Sequence, residues 1–171
     1  MTKKTRNMTL SALFSALSVI ALFLVSLWPT GQLGFAAVSS LFVAAAVIEM
    51  GVAPGICVFA ISAAISLLVV PDRSATLLYI LFFGYYPIVK HLTERTGRAL
   101  LRWVTRLAIF NASLTVILLF LRELFISFSI DTVAIILLYL CGNAVFIVFD
   151  HGYSKLIRYY ICHVSKHLKG R

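Results

Sequence analysis

Residues 8–27 read MTLSALFSALSVIALFLVSL, a run of twenty residues without a charged side chain. At about 1.5 Å of rise per helical residue, this run crosses the roughly 30 Å hydrocarbon core of a bilayer. Lys3, Lys4 and Arg6 precede it and give the chain a cationic start. Since this combination is typical of a membrane-spanning segment, we predict the first transmembrane helix here.

The first half of this helix is rich in small residues. Ala12 and Ala16 lie one helical turn apart, with Ser11 and Ser15 beside them. Inside lipid, apolar burial does not favour one partner over another, so helices associate through the close approach that small residues allow. We therefore predict that Ala12, Ser15 and Ala16, called the small-residue strip below, dock another helix, and that Ala12 and Ala16 face outward.

The composition places the whole chain in the membrane class. Hydrophobic residues make up 61% of the 171 positions, charged residues only 12%, and the mean hydropathy is +1.01. A soluble domain of this size could not bury so much apolar surface. A cleaved signal peptide would have a shorter apolar region and a less apolar chain behind it. We predict an all-α integral membrane protein with one polytopic domain over residues 1–171.

The charge distribution indicates how the chain is oriented. The net charge is +9, and most basic residues fall into three groups beside apolar runs. By the positive-inside rule these groups mark cytoplasmic loops, and anionic lipids rather than nucleic acid are the natural counter-charge. The groups are Lys3, Lys4 and Arg6; Lys90, Arg95, Arg98, Arg102 and Arg106; and Lys155, Arg158, Lys166, Lys169 and Arg171.

Clusters of Gly, Pro, Asp and Ser divide the apolar sequence into six predicted transmembrane helices, with both termini in the cytoplasm. A cytoplasmic amphipathic segment is predicted at 90–103, a kink near 84–87 and a basic tail at 150–171. The predicted helices are 8–27, 33–50, 54–70, 75–89, 104–126 and 132–149.

No motif of an intramembrane enzyme, phosphate loop or metal site occurs in the sequence. Cys57, Cys141 and Cys162 are odd in number and widely separated, which indicates neither a disulfide framework nor a metal cluster. Asp150 and His151 are adjacent, so they point in different directions on a helix and are interpreted as interfacial residues. We predict no enzymatic activity, no cofactor and no metal.

Polar residues in the outer half are the candidates for binding a solute. Arg122 and Glu123 lie within an apolar run, where charges are costly, and they either bind a ligand or extend towards the outer headgroups. The Arg122 guanidinium could hold a carboxylate or phosphate through two hydrogen bonds. The candidates are Trp28, Gln32, Arg73, Tyr79, Arg122, Glu123, Tyr139 and Asn143.

Structural roles compete with binding at several of these positions. Tyr79 and Tyr139 could pack or lie at the membrane interface instead of lining a pocket. Asn111 and Asn143 lie at similar depths in neighbouring helices and could hydrogen-bond each other as a clamp. Glu49 lies beside the start of the next helix and is interpreted as a cap-like charge.

Size, six helices, the basic N-terminus and the Ala12-Leu13-Phe14-Ser15-Ala16 segment resemble the substrate-binding S components of energy-coupling factor (ECF) vitamin transporters. The resemblance implies an ABC importer subunit of the bacterial cytoplasmic membrane that binds a vitamin-like ligand at its outer half. It also implies partners: a membrane coupling (T) subunit, which docks on Ala12 and Ala16, and two ATPase subunits. The fingerprints of the riboflavin, thiamine and biotin members are missing, so the resemblance does not name a ligand.

A structural membrane protein is the alternative. The chain is also similar in length and span count to MreD, a rod-shape-determining membrane component. Such a protein would use the small-residue strip to hold a partner and would need no ligand.

Overall fold

A computed structural model describes residues 3–28, 31–95, 98–124 and 132–165, without the side chains of residues 3, 120–124, 132 and 164–165. Within these ranges every regular element is a helix. A 3-10 turn, Leu24–Leu27, follows the first helix, and π-helical turns occur at Tyr79–Phe83 and Ile161–Ser165. The α-helices are α1 Lys3–Phe23, α2 Gln32–Met50, α3 Val52–Val69, α4 Arg73–Leu78, α5 Tyr86–Glu94, α6 Ala99–Leu124 and α7 Thr132–Tyr160.

Six helical stretches of the described residues are long and apolar enough to cross a membrane. The predicted number of spans is therefore confirmed, and the chain is a multi-pass membrane protein. The location of the two termini remains a prediction. The stretches are Lys4–Leu27, Gln32–Met50, Val52–Val69, Arg73–Glu94, Ala99–Leu119 and Val133–His163.

Several helices extend beyond the predicted limits. The fourth stretch continues through α5 to Glu94, and α6 already begins at Ala99, so the predicted amphipathic segment 90–103 is divided between two helices. At the other end of the chain, α7 continues to Tyr160 instead of ending at residue 149. An ion pair between Arg106 and Asp150 explains the last difference, because a paired carboxylate can remain inside a helix contact.

The described residues form two compact units, Met1–Arg95 and Thr96–Arg171. In the first unit, α2 is central and contacts α1, α3, α5 and the π turn at Tyr79–Phe83. Its buried face consists largely of alanine, serine and valine, which allow neighbouring helices to approach closely. These buried residues are Ala36, Ser39, Ser40, Val43, Ala44, Ala45, Ala46 and Val47.

The connection between α2 and α3 is a single residue. Gly51 has φ +101°, a conformation that favours glycine, and α3 begins at the next residue. A Cβ atom on Gly55 would lie 2.3 Å from Cγ2 of Val47, so the absence of a side chain there lets α3 pack directly on α2. Pro54 lies in the first turn of α3, where its missing N–H costs little.

The second unit pairs α6 with α7. The rings of Phe110 and Phe146 stack with their centroids 4.6 Å apart between the two helices. Phe146 is almost fully buried, whereas many aliphatic residues of α7 are exposed. This exposure suits a helix pair whose outer surface faces lipid.

Candidate functional site

A groove of about 670 Å³ runs along the first unit between α1 and α3. The short α1–α2 and α2–α3 connections make α1 and α3 parallel neighbours, and both helices line the groove over several turns. Its walls are mostly apolar. The lining residues are Lys4, Asn7, Met8, Ser11, Ala12, Ser15 and Ala16 of α1, and Ala53, Pro54, Cys57, Ile61 and Ile65 of α3.

The small-residue strip forms one wall of this groove. Ala12 and Ala16 are exposed, as predicted for residues that face away from the packed interior. Ser15 lies between them, and only 2% of its surface is accessible. Because methyl groups project little from the helix, the backbone of α1 is within reach of anything that enters the groove.

Two polar atoms on the groove wall are unsatisfied. Within the described residues, neither the Ser15 hydroxyl nor the carboxamide oxygen of Asn7 has a hydrogen-bond partner, although both atoms are buried. A buried polar group without a partner costs free energy, particularly in an apolar environment. The neighbouring Ser11 hydroxyl does have a contact, 3.8 Å from the sulfur of Met50.

A cluster of buried hydroxyl groups lies in the core of the same unit. The Tyr79 hydroxyl lies 2.7 Å from the Ser62 hydroxyl and 3.2 Å from that of Ser18. Ser18 and Ser39 bond reciprocally, each hydroxyl donating to the other's backbone carbonyl at 2.8 and 2.9 Å. These four residues, called the hydroxyl cluster below, are fully buried and join α1, α2, α3 and the π turn.

The hydroxyl cluster favours the packing interpretation of Tyr79. A ligand could reach its ring only if helices of the unit separated, since the side chain has no accessible surface. The ring also contacts Phe59, with the centroids 6.0 Å apart.

Asp72 organises the turn between α3 and α4. One carboxylate oxygen accepts hydrogen bonds from the backbone N–H groups of Ser74 and Ala75, so Asp72 caps the N-terminus of α4. The other oxygen accepts a bond from the Gln32 side chain at 2.9 Å and so ties the start of α2 to this turn.

The remaining candidates of the first unit lie near this turn or at the end of α1. The Arg73 guanidinium donates to the backbone carbonyl of Leu67. Trp28 is 68% exposed, directly after the 3-10 turn that follows α1. Gln32 and Arg73 are therefore engaged with neighbouring groups of the protein, while the Trp28 ring is open to a ligand or to lipid.

A ladder of polar pairs connects α6 and α7. Asn111 and Asn143 exchange two hydrogen bonds through their carboxamides, at 3.0 and 3.1 Å, so the predicted pair is present. Further along, the hydroxyls of Thr115 and Tyr139 lie 2.6 Å apart. Asn143 and Tyr139 thus take part in helix packing in this structure.

The charged candidates Arg122 and Glu123 fall in the last turns of α6. Their side chains lie outside the described residues, so the choice between solute binding and extension towards the headgroups remains a prediction. Glu49 lies near the end of α2, and its buried carboxylate oxygen has no hydrogen-bond partner among the described residues. The cap-like contact predicted for Glu49 is therefore not formed here, and α3 has no side-chain cap.

Three features were missed at the level of sequence. Arg106 and Asp150, both almost fully buried, form an ion pair at 3.3 Å between α6 and α7, although both had been interpreted as residues of the membrane surface. Lys90 is 1% exposed, and its ammonium lies 5.8 Å from the centroid of the Tyr86 ring. The sequence did not reveal that the serines of the hydroxyl cluster bond to one another, because serine is common in membrane helices and its partners come from distant parts of the chain.

Comparison with known proteins adds no relative: no family model, no curated protein and no solved structure matches this chain.

Proposed function

We propose that this chain is the substrate-binding subunit of an ECF-type importer in a bacterial cytoplasmic membrane. It captures a vitamin-like micronutrient from outside and delivers it through a coupling subunit driven by two ATPases. The observation that carries the proposal is the exposure of Ala12 and Ala16, the two alanines of the small-residue strip, along the α1–α3 groove. This wall is smooth enough for a helix of the coupling subunit to pack against it.

The outer turns supply the solute site in this proposal. On the first unit, Trp28 has an open aromatic ring and Arg73 supplies a guanidinium. Arg122 and Glu123 of the second unit remain separate candidates, near the end of α6 that the predicted topology places outside. An aromatic face and a guanidinium are the groups that a flat, acidic micronutrient would require. Gln32 and Arg73 would have to exchange their present partners for the ligand.

A ligand-free scaffold of the MreD type is the second candidate. Several residues predicted to contact a solute bond instead to other residues of the protein, which favours this second candidate. Tyr79 lies within the hydroxyl cluster, and Asn143 is paired with Asn111. Mass spectrometry of small molecules released from the purified protein distinguishes the two functions. A stoichiometric micronutrient supports the importer, and its absence from preparations of the intact complex supports the scaffold.

Docking is tested by the double substitution Ala12→Trp and Ala16→Trp. Because both alanines are exposed, two indole rings at these positions should occupy the groove and leave the packing of the core unchanged. We expect the protein to remain folded and to lose association with a co-expressed coupling subunit, measured by affinity co-purification, by about tenfold or more.

The matched control is Leu13→Trp with Ile20→Trp, two exposed positions of α1 that do not line the groove. This control should retain association. Unfolding of the Ala12/Ala16 double variant, or undiminished association, would contradict a docking role for the strip.

A further inference from the structure

The polar atoms of the α1–α3 groove that lack a partner restrict which kind of molecule can fill it. Lys4 at one end is the only charged residue of the lining, and it forms no ion pair with the described residues. Asn7 presents a buried, unpartnered carboxamide oxygen, and Ser15 a buried, unpartnered hydroxyl. An occupant that satisfies the groove must therefore supply polar groups at three separate depths.

The depth of Ser15 decides between a lipid and a protein as occupant. Ser15 is seven residues into the uncharged run that begins at Met8; with the edge of the hydrocarbon core taken at Met8, Ser15 lies about 10 Å inside it. A phospholipid carries its phosphate and ester groups at the edge of that core and only hydrocarbon at this depth. A polypeptide can bring a hydrogen-bonding group there, because a helix carries polar side chains at any level.

The charge at the end of the groove specifies a further feature of the occupant. The ammonium of Lys4 has Arg6 close to it in sequence, and no acidic side chain lines the groove. An acidic group on the occupant at this end would be electrostatically complementary to Lys4. Lys4 and Ser15 are eleven residues apart, which is about 16 Å along a helix and close to three whole turns.

We infer that the groove receives a partner helix that carries an aspartate or glutamate opposite Lys4 and a hydroxyl or amide side chain opposite Ser15. On the partner these two residues are ten to twelve positions apart on one helix face, with a hydrogen-bond donor for Asn7 between them. The inference rests on the docking role in the proposed function, and it adds a polar pattern by which the partner is recognised.

Cys57 gives direct access to the occupant, because its thiol is exposed on the groove wall. In a chain with Cys141→Ser and Cys162→Ser, Cys57 is labelled with benzophenone-4-maleimide in membranes of the native host and irradiated. Mass spectrometry then identifies the adduct. We expect a peptide from another membrane protein whose helix contains the acidic residue and, ten to twelve positions away, Ser, Thr, Asn or Gln.

Variants of the groove test whether the polar groups matter. Ser15→Ala should lower the yield of that adduct about threefold, the effect of one hydrogen bond between membrane helices. Lys4→Glu should lower it as well, and exchange of the partner's acidic residue for lysine should restore it. Ser26→Ala is the matched control, since its hydroxyl is also buried and unpartnered but does not line the groove.

The inference would be overturned by adducts with lipid alone, with a second copy of this chain, or with a helix that lacks the polar pattern. It would also be overturned if no adduct formed or if Ser15→Ala left the yield of the adduct unchanged. A patterned helix from a protein that is not a coupling subunit would support the inference and contradict the proposed function. A coupling subunit whose helix lacks the pattern would support the proposed function and contradict the inference.

Discussion

At the scale of single residues, the Tyr79 hydroxyl connects the first unit most widely, since its partners lie on α1 and α3 and Ser18 continues the chain of bonds to α2. Removing it would leave Ser18 and Ser39 bonded to each other and Ser62 bonded to the carbonyl of Phe59. Removal of the Tyr79 hydroxyl therefore abolishes only the hydrogen bonds that this hydroxyl makes. A ring of the same shape would still fill the core.

We expect Tyr79→Phe to lower the free energy of unfolding by about 1 kcal/mol, a typical net value for a buried hydrogen bond. Thermal unfolding in detergent, followed by circular dichroism, measures the change. Tyr159→Phe is the control, because Tyr159 is exposed and its hydroxyl can exchange partners with water. Equal effects of the two substitutions would show that the hydroxyl cluster adds no stability.

At the scale of helices, α6 and α7 are held by contacts of different chemistry at successive levels: an ion pair, stacked rings, an amide pair and a hydroxyl pair. The ion pair is the most sensitive of these. A charge that loses its partner inside a low-dielectric contact is strongly unfavourable, whereas loss of both charges together removes the desolvation cost as well.

Asp150→Leu should therefore destabilise the protein by about 3–5 kcal/mol. The double variant Arg106→Leu with Asp150→Leu should recover much of that loss. Chemical unfolding in mixed micelles gives both values. A double variant no more stable than Asp150→Leu alone would mean that the two charges do not act as a pair.

At the scale of the whole molecule, the predicted topology has a direct test that does not depend on any function. Ser74 lies in the first turn of α4, next to the turn that joins it to α3, and Arg98 lies in the connection between α5 and α6; both are exposed. Cysteines at these positions, in a chain with the three native cysteines replaced by serine, should react differently with an impermeant maleimide. We expect Ser74→Cys to be labelled on intact cells and Arg98→Cys only after permeabilisation, and the opposite result would reverse the orientation.

The sequence was informative where one run of residues determines the outcome. Apolar runs, bounded by turn residues, located the six spans. It was uninformative where two distant residues determine the outcome together. Arg106 and Asp150 are 44 positions apart, and each alone has the properties of a surface residue, so α7 extended beyond its predicted end.

The candidate site could be predicted in part. The spacing of Ala12 and Ala16 places both on one face of α1, and the prediction that this face is exposed agrees with the structure. The opposite wall with Cys57, Ile61 and Ile65 does not, because it depends on the direction in which α3 leaves Gly51. Similarly, nothing local distinguishes the unpartnered Ser15 from the bonded Ser18 three residues later.

The one-residue connection at Gly51 restricts how such a sequence can change its length during evolution. An inserted residue there would advance α3 by about 1.5 Å and turn it by about 100°, which would carry Cys57, Ile61 and Ile65 away from the groove. The connection at 70–72 is longer and can accommodate an insertion without rotating a helix. Insertions and deletions in descendants of this chain should therefore be rarer at Gly51 than at the longer connection between α3 and α4.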